Sequence, residues 1–178
     1  MDAKAGARER LEAARAQLIA LSHRIHAAPE LGFEEERAAR WLGEALADAG
    51  FRVEAGVCDL PTAFVARAGS GPLHVAVCAE YDALPAIGHA CGHNVIAATA
   101  VGAALAMARV ADDVGLTVTV VGTPAEESGG GKILLLEVLV SNATGLLLPG
   151  KISKGAVFLH TLERFRFLEH FTDFFDGS

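Results

Sequence analysis

Along the first fifty residues the apolar side chains return at helical spacing. Leu11, Leu18, Leu21 and Ile25, with Ala14 among them, make one stripe, and arginines and glutamates fill the rest. That pattern predicts a helix over residues 7–28, stopped at Pro29 because the residue before a proline avoids the α region. A second helix is expected over residues 34–49, burying Trp41, Leu42, Ala45 and Leu46 and ending at Gly50. The pattern then changes to short apolar runs at 51–57, 63–68 and 73–79, which read as strands. The third is almost continuously apolar, as a strand covered on both faces would be. A polar loop over 82–94 leads into an Ala- and Gly-rich helix reaching about residue 110. Another apolar strand follows at 116–121, then a glycine-rich turn and a helix over 131–137. Helices alternating with buried strands predict an α/β fold, a three-layer sandwich.

After Glu137 the character of the chain shifts. Residues 1–137 hold 32 alanines and 3 phenylalanines, and the much shorter remainder holds 2 and 6. We therefore divide the chain into residues 1–137, one α/β unit, and 138–178, a tail of different composition. Within the tail, residues 159–175 have spacing compatible with an amphipathic helix. No internal repeat is visible.

The 178 residues carry a net charge of −7, which argues against a nucleic-acid partner or a membrane-surface role. The most apolar stretch, residues 95–107, is shorter than the ~20 residues needed to cross a bilayer and reads as a core helix. Cys58, Cys78 and Cys91 form an odd set without framework spacing, and the first ten residues lack the apolar run of a secretory leader. A cytoplasmic protein with reduced thiols is the expectation.

Candidate chemistry gathers where strands end and helices begin, the usual place for a site in an open α/β sheet. Cys91 and His93, two apart, can converge on one ion from a loop entering a helix, and thiolate with imidazole suits zinc. A buried thiol beside a helix-capping histidine is the plainer alternative. Glu126 and Glu127 follow a strand directly. Adjacent carboxylates on extended backbone face opposite ways, so one can bind a metal while the other serves as general base. Equally, they can be a solvated acidic pair in a helix's first turn. Asp82 can fix the tautomer of a ligand histidine or simply bond its own turn. His89 reads as a supporting or structural histidine, and His26 as a helix-end cation. Gly129-Gly130-Gly131-Lys132 is not a phosphate loop, because Ile133 stands where Ser or Thr is required.

Taken together, four ordered stretches resemble the co-catalytic metallopeptidase and amidohydrolase family of aminoacylase and carboxypeptidase G. They are HAAPELGFEE (26–35), EYDALP (80–85), GHACGHN (88–94) and GTPAEESGGGKILLLE (122–137). The branch resembled is that of hippurate hydrolase, indoleacetyl-amino-acid hydrolase and aminobenzoyl-glutamate utilisation proteins. The resemblance implies a zinc-aminopeptidase-like catalytic domain that hydrolyses the amide bond of an N-acyl amino acid or a dipeptide. It implies divalent metal, zinc first with manganese or cobalt as alternatives, and two ions in a complete member. By the same resemblance Cys91, His93 and Glu127 are ligands, with Cys91 placed to bridge. Glu126 is the general base acting through water, and Asp82 orients the site. Asn94 stands where hippurate-hydrolase-like relatives carry Asp, which points to the dipeptidase and aminobenzoyl-glutamate subgroup.

The resemblance covers residues 10–137, the N-terminal part of such a catalytic domain. No His-Pro pair follows the 131–137 helix, where the family supplies another ligand, and only His160 and His170 remain downstream. The family's lid domain is absent from the match, so its dimer is not expected. A site short of ligands predicts impaired hydrolysis; the alternative is a non-catalytic metal-binding or interaction fragment.

Overall fold

A computed structural model describes residues 2–135. Their order is α1 (Ala3–His26), α2 (Glu36–Asp48), β1 (Arg52–Ala55), β2 (Phe64–Gly69), β3 (Leu73–Glu80), α3 (His93–Val114), β4 (Leu116–Thr123) and α4 (Gly131–Leu134). The expected helix over 159–175, the 138–178 tail and the end of the 131–137 helix lie outside the described residues.

Helix α1 starts four residues earlier than its apolar stripe indicates. The Asp2 side chain accepts from the Lys4 N–H and caps it, a signal of polarity rather than periodicity. The stripe faces α3, where Leu11 and Leu18 lie against Gly102 and leave no room for a side chain there. Leu42 and Leu46 of α2 are fully buried, and Trp41 nearly so under the Arg24 guanidinium, 4.0 Å from its ring. Each such leucine contributes about 2 kcal/mol by leaving water. The run 51–57 is a strand only to Ala55. Val57–Asp59 instead form a 3-10 turn in which Cys58 and Asp59 take positive φ.

The four strands make one mixed sheet in the order β1-β2-β4-β3. β3 and β4 are parallel, with Val77 opposite Val120, and α3 is the crossover between them. β2 runs antiparallel to both β1 and β4. Helices α1, α2 and α3 share one core with Phe64, Ala66, Ala79, Val118 and Val120, all on one face of the sheet. The opposite face carries a smaller cluster of Ala63, Val65, Val121 and Leu135. The α/β class is as expected, and the described residues supply one helix layer and the sheet. One strand is less covered than its apolar run predicts. β3 is an outer strand among the described residues, with Leu73 and His74 exposed and Ala76 and Cys78 half-buried. α3 has the length and apolarity of a membrane span, yet it serves here as the core helix, burying Ala97, Val101, Ala104 and Leu105.

Candidate metal centre

The parallel pair and its crossover decide where polar groups can collect. β3 ends at Glu80 and β4 at Thr123, side by side, and the Thr123 hydroxyl bonds the Ala79 carbonyl across the seam at 3.0 Å. The N-terminus of α3 begins beside them, so residues from three separate stretches meet at the carboxyl end of the sheet. Gly92 provides the bend into α3 with φ +80°, leaving His93 as the helix's first residue.

His93 is the centre of the arrangement. Its Nδ1 lies 2.9 Å from the Asp82 backbone oxygen. A carbonyl oxygen can only accept, so Nδ1 carries the proton and Nε2 presents a bare lone pair. Around Nε2 stand Glu80 Oε2 at 3.6 Å, Glu127 Oε1 at 3.7 Å and Glu126 Oε2 at 3.8 Å. Three carboxylates turned on one imidazole lone pair form a cation-attracting cluster. Ligand atoms of Glu80, His93 and Glu126 all lie within 4.8 Å of one another. Oxygen and nitrogen donors of this kind suit zinc, manganese or cobalt, so the residues fit a divalent ion.

Asp82 ties the group together. Its Oδ1 also sits 2.9 Å from His93 Nδ1, without the alignment of a hydrogen bond, and its Oδ2 accepts from the Glu127 N–H at 3.0 Å. Asp82 thus fixes both groups, the imidazole through its backbone oxygen and the backbone bearing the acidic pair through its carboxylate. Tyr81, stacked on Phe64, anchors the preceding residue by donating to the Thr62 carbonyl at 2.6 Å. Burial pushes its phenol pKa well up, so it is a hydrogen-bond donor, not an acid–base group.

Glu126 and Glu127 lie in a turn and not in a helix's first turn. The residue before them, Ala125, is buried with φ +54°, a conformation costly for an L side chain. Glu35 holds it there: its Oε1 accepts the Ala125 N–H at 2.7 Å from the base of α2. Glu35 is fully buried, and desolvation raises its pKa against the opposing pull of the Ala125 N–H. Gly32 completes the fit, since a Cβ there would stand 2.9 Å from that of Ala125. The HAAPELGFEE and GTPAEES stretches are therefore two sides of one joint.

Cys91 stands exposed at the rim, beside Glu127. A hydrogen bond to the Glu127 carboxylate raises its thiol pKa, and the nearby charges of Glu127, Glu126 and Asp82 add to this. His89 is buried next to His26, ring centroids 6.3 Å apart, and neither of its nitrogens has a hydrogen-bond partner among the described residues. Burial lowers its pKa, with His26 and His93 nearby adding to the effect. Asn94 points away from the acids, donating to the Ser22 hydroxyl at 2.9 Å and so joining α3 to α1.

Two participants escape a reading of the sequence. Glu80 ends a strand whose alternate positions are apolar, and that break in an apolar run is its only signal. Lys132 belongs to the glycine turn that fails the phosphate-loop pattern, yet its ammonium pairs with Glu80 and lies 3.6 Å from Glu126.

Residues 76–167 match peptidase family M20/M25/M40. The chain is 45% identical over 149 residues to the mouse Xaa-Arg dipeptidase, a match covering 75% of the chain and 34% of that protein. Against one of the polypeptides of the Escherichia coli p-aminobenzoyl-glutamate hydrolase it is 34% identical over 145 residues, covering 71% and 30%. The chain thus spans about a third of the length of these curated relatives. A crystal structure of a dinuclear metal-binding peptidase of the M20 family from Bacillus subtilis superposes with a TM-score of 0.64 at 28% identity, over 74% of this chain and 41% of that one. With the matched segment running from β3 through both acid-bearing turns, the chain belongs to peptidase family M20/M25/M40.

Proposed function

We propose that these residues form the metal-holding part of an amidohydrolase site acting on a dipeptide or an N-acyl amino acid. The observation that carries the reading is the bare Nε2 of His93 ringed by three carboxylates at 3.6–3.8 Å. His93 and Glu127 would hold the ion, with Glu80 as a further donor and Cys91 at the rim as an additional ligand. When bound, a divalent ion lowers the pKa of water and polarises the amide carbonyl. Glu126, the more exposed of the acidic pair, accepts the proton of the attacking water and returns it to the leaving nitrogen. Asp82 keeps His93 in the tautomer that offers Nε2.

The relatives' names suggest the substrates to try: dipeptides with C-terminal arginine, and p-aminobenzoyl-glutamate. The described donors suffice for one ion, so hydrolysis by the 178-residue chain alone is expected to be weak. The test is metal content of the purified protein with hydrolysis of both substrates. About one zinc per chain, lost in His93→Ala, supports the reading. Protein that takes up no divalent metal sinks it.

A further inference from the structure

Lys132 occupies an unusual place for a cation. Its ammonium pairs with Glu80 Oε1 and lies 3.6 Å from Glu126 Oε1, while the other oxygen of each carboxylate faces His93 Nε2. Two of the three members of the candidate ligand group thus face the lysine with one oxygen and the imidazole with the other. The lysine is held there by its backbone. Gly131 packs so tightly on the Pro124 carbonyl that a Cβ would collide with it, which fixes the start of α4 against the acid-bearing turn. The outer part of the side chain remains open to solvent, leaving a route by which the ammonium can withdraw.

We propose that Lys132 is the resident counter-ion of this cluster, competing with the divalent cation for the donor Glu80 while it neutralises the neighbouring Glu126, and giving way when the cation enters. The proposal rests on the reading of the cluster as a cation site. Three carboxylates around one imidazole repel one another unless a positive charge lies among them. The lysine meets that need in the metal-free protein and must be displaced for a metal to collect the same oxygens. It therefore stabilises the metal-free fold and weakens metal affinity together.

Cobalt(II) titration, read by visible absorption and calorimetry, tests this with wild type, Lys132→Met, Lys132→Gln and Lys132→Arg. The two neutral variants should bind cobalt about two- to fivefold more tightly than wild type, the scale of one partly exposed ion pair, and the arginine variant should match wild type. Thermal unfolding of the metal-free proteins gives a second readout. The neutral variants should melt lower than wild type, and cobalt should raise their melting temperature more than it raises the wild type's. Unchanged or weaker cobalt binding in the neutral variants overturns the proposal while leaving the metal site standing. No cobalt binding by any of the four proteins overturns the site reading and the proposal with it.

Discussion

The side chains of Asp82 and His93 are 1% and 4% exposed, whereas across the same cluster Glu126 and Lys132 stand 36% and 38% exposed. The inner pair is fixed by what surrounds it: a parallel strand end, a helix start and a backbone carbonyl. The outer pair is fixed mainly by charge, and charge at a partly open surface is a weak positional constraint. The contrast teaches that the orientation of the cluster is set from the core side, while the charged groups at its rim are held more loosely.

Removing an inner residue should therefore cost far more than removing an outer one. Asp82→Ala strips the acceptor from the Glu127 N–H and the contact from His93, and should cost about 2–3 kcal/mol in urea unfolding. Divalent metal affinity should fall about 10–100-fold with it. A variant as stable as wild type would break the comparison.

Glu35 sharpens it through pH. Burial raises its folded pKa above the ordinary 4.5, so the fold prefers the neutral acid. The stability this group contributes is complete below the unfolded value and is lost as pH rises through the higher folded one. Glutamine keeps an acceptor for the Ala125 N–H and has no charge to bury. Stability curves taken from about pH 4 to about pH 7 should show Glu35→Gln gaining on wild type as pH rises. A constant difference across that range would mean Glu35 is not a buried, strained carboxylate.

The smallest effect on stability belongs to the rim. Glu126→Gln should change unfolding free energy by no more than about 0.5 kcal/mol. If the amidohydrolase reading holds, the same change should lower hydrolysis by about 100-fold or more, because a group can matter to proton transfer without supporting the fold. A large loss of stability here would place the outer acid among the structural residues.

Much of this is legible in the sequence. The amphipathic stripe of α2, the apolar runs of β3 and β4 and the small-residue face of α3 depend on local periodicity, and each element lies where its pattern lies. So does the meeting of Asp82, His93 and the Glu126-Glu127 pair, because each lies just past a strand end or at a helix start, where an open α/β sheet gathers its polar groups. What periodicity cannot carry is pairing. Nothing in residues 51–69 says that β2 lies antiparallel beside β4 and separates it from β1. Asn94 shows the same limit: next to His93 in sequence, it spends its amide on Ser22, 72 positions earlier. Lys132 is hidden because its meaning depends on Glu80 and Glu126, not on its neighbours in the chain.

The bond from Glu35 to Ala125 spans 90 positions. Closing so long a loop loses chain entropy before any contact repays it, so interactions of this reach form late in folding. The turn carrying both acids is held in its strained shape by the segment preceding α2, so its shape depends on that docking. On the ribosome, a nascent chain that has folded α1 through β3 still lacks a cation-attracting cluster. The acidic cluster is complete only when the molecule's first quarter and the turn beyond β4 have closed on each other. Metal uptake would then report completion of the fold rather than guide it.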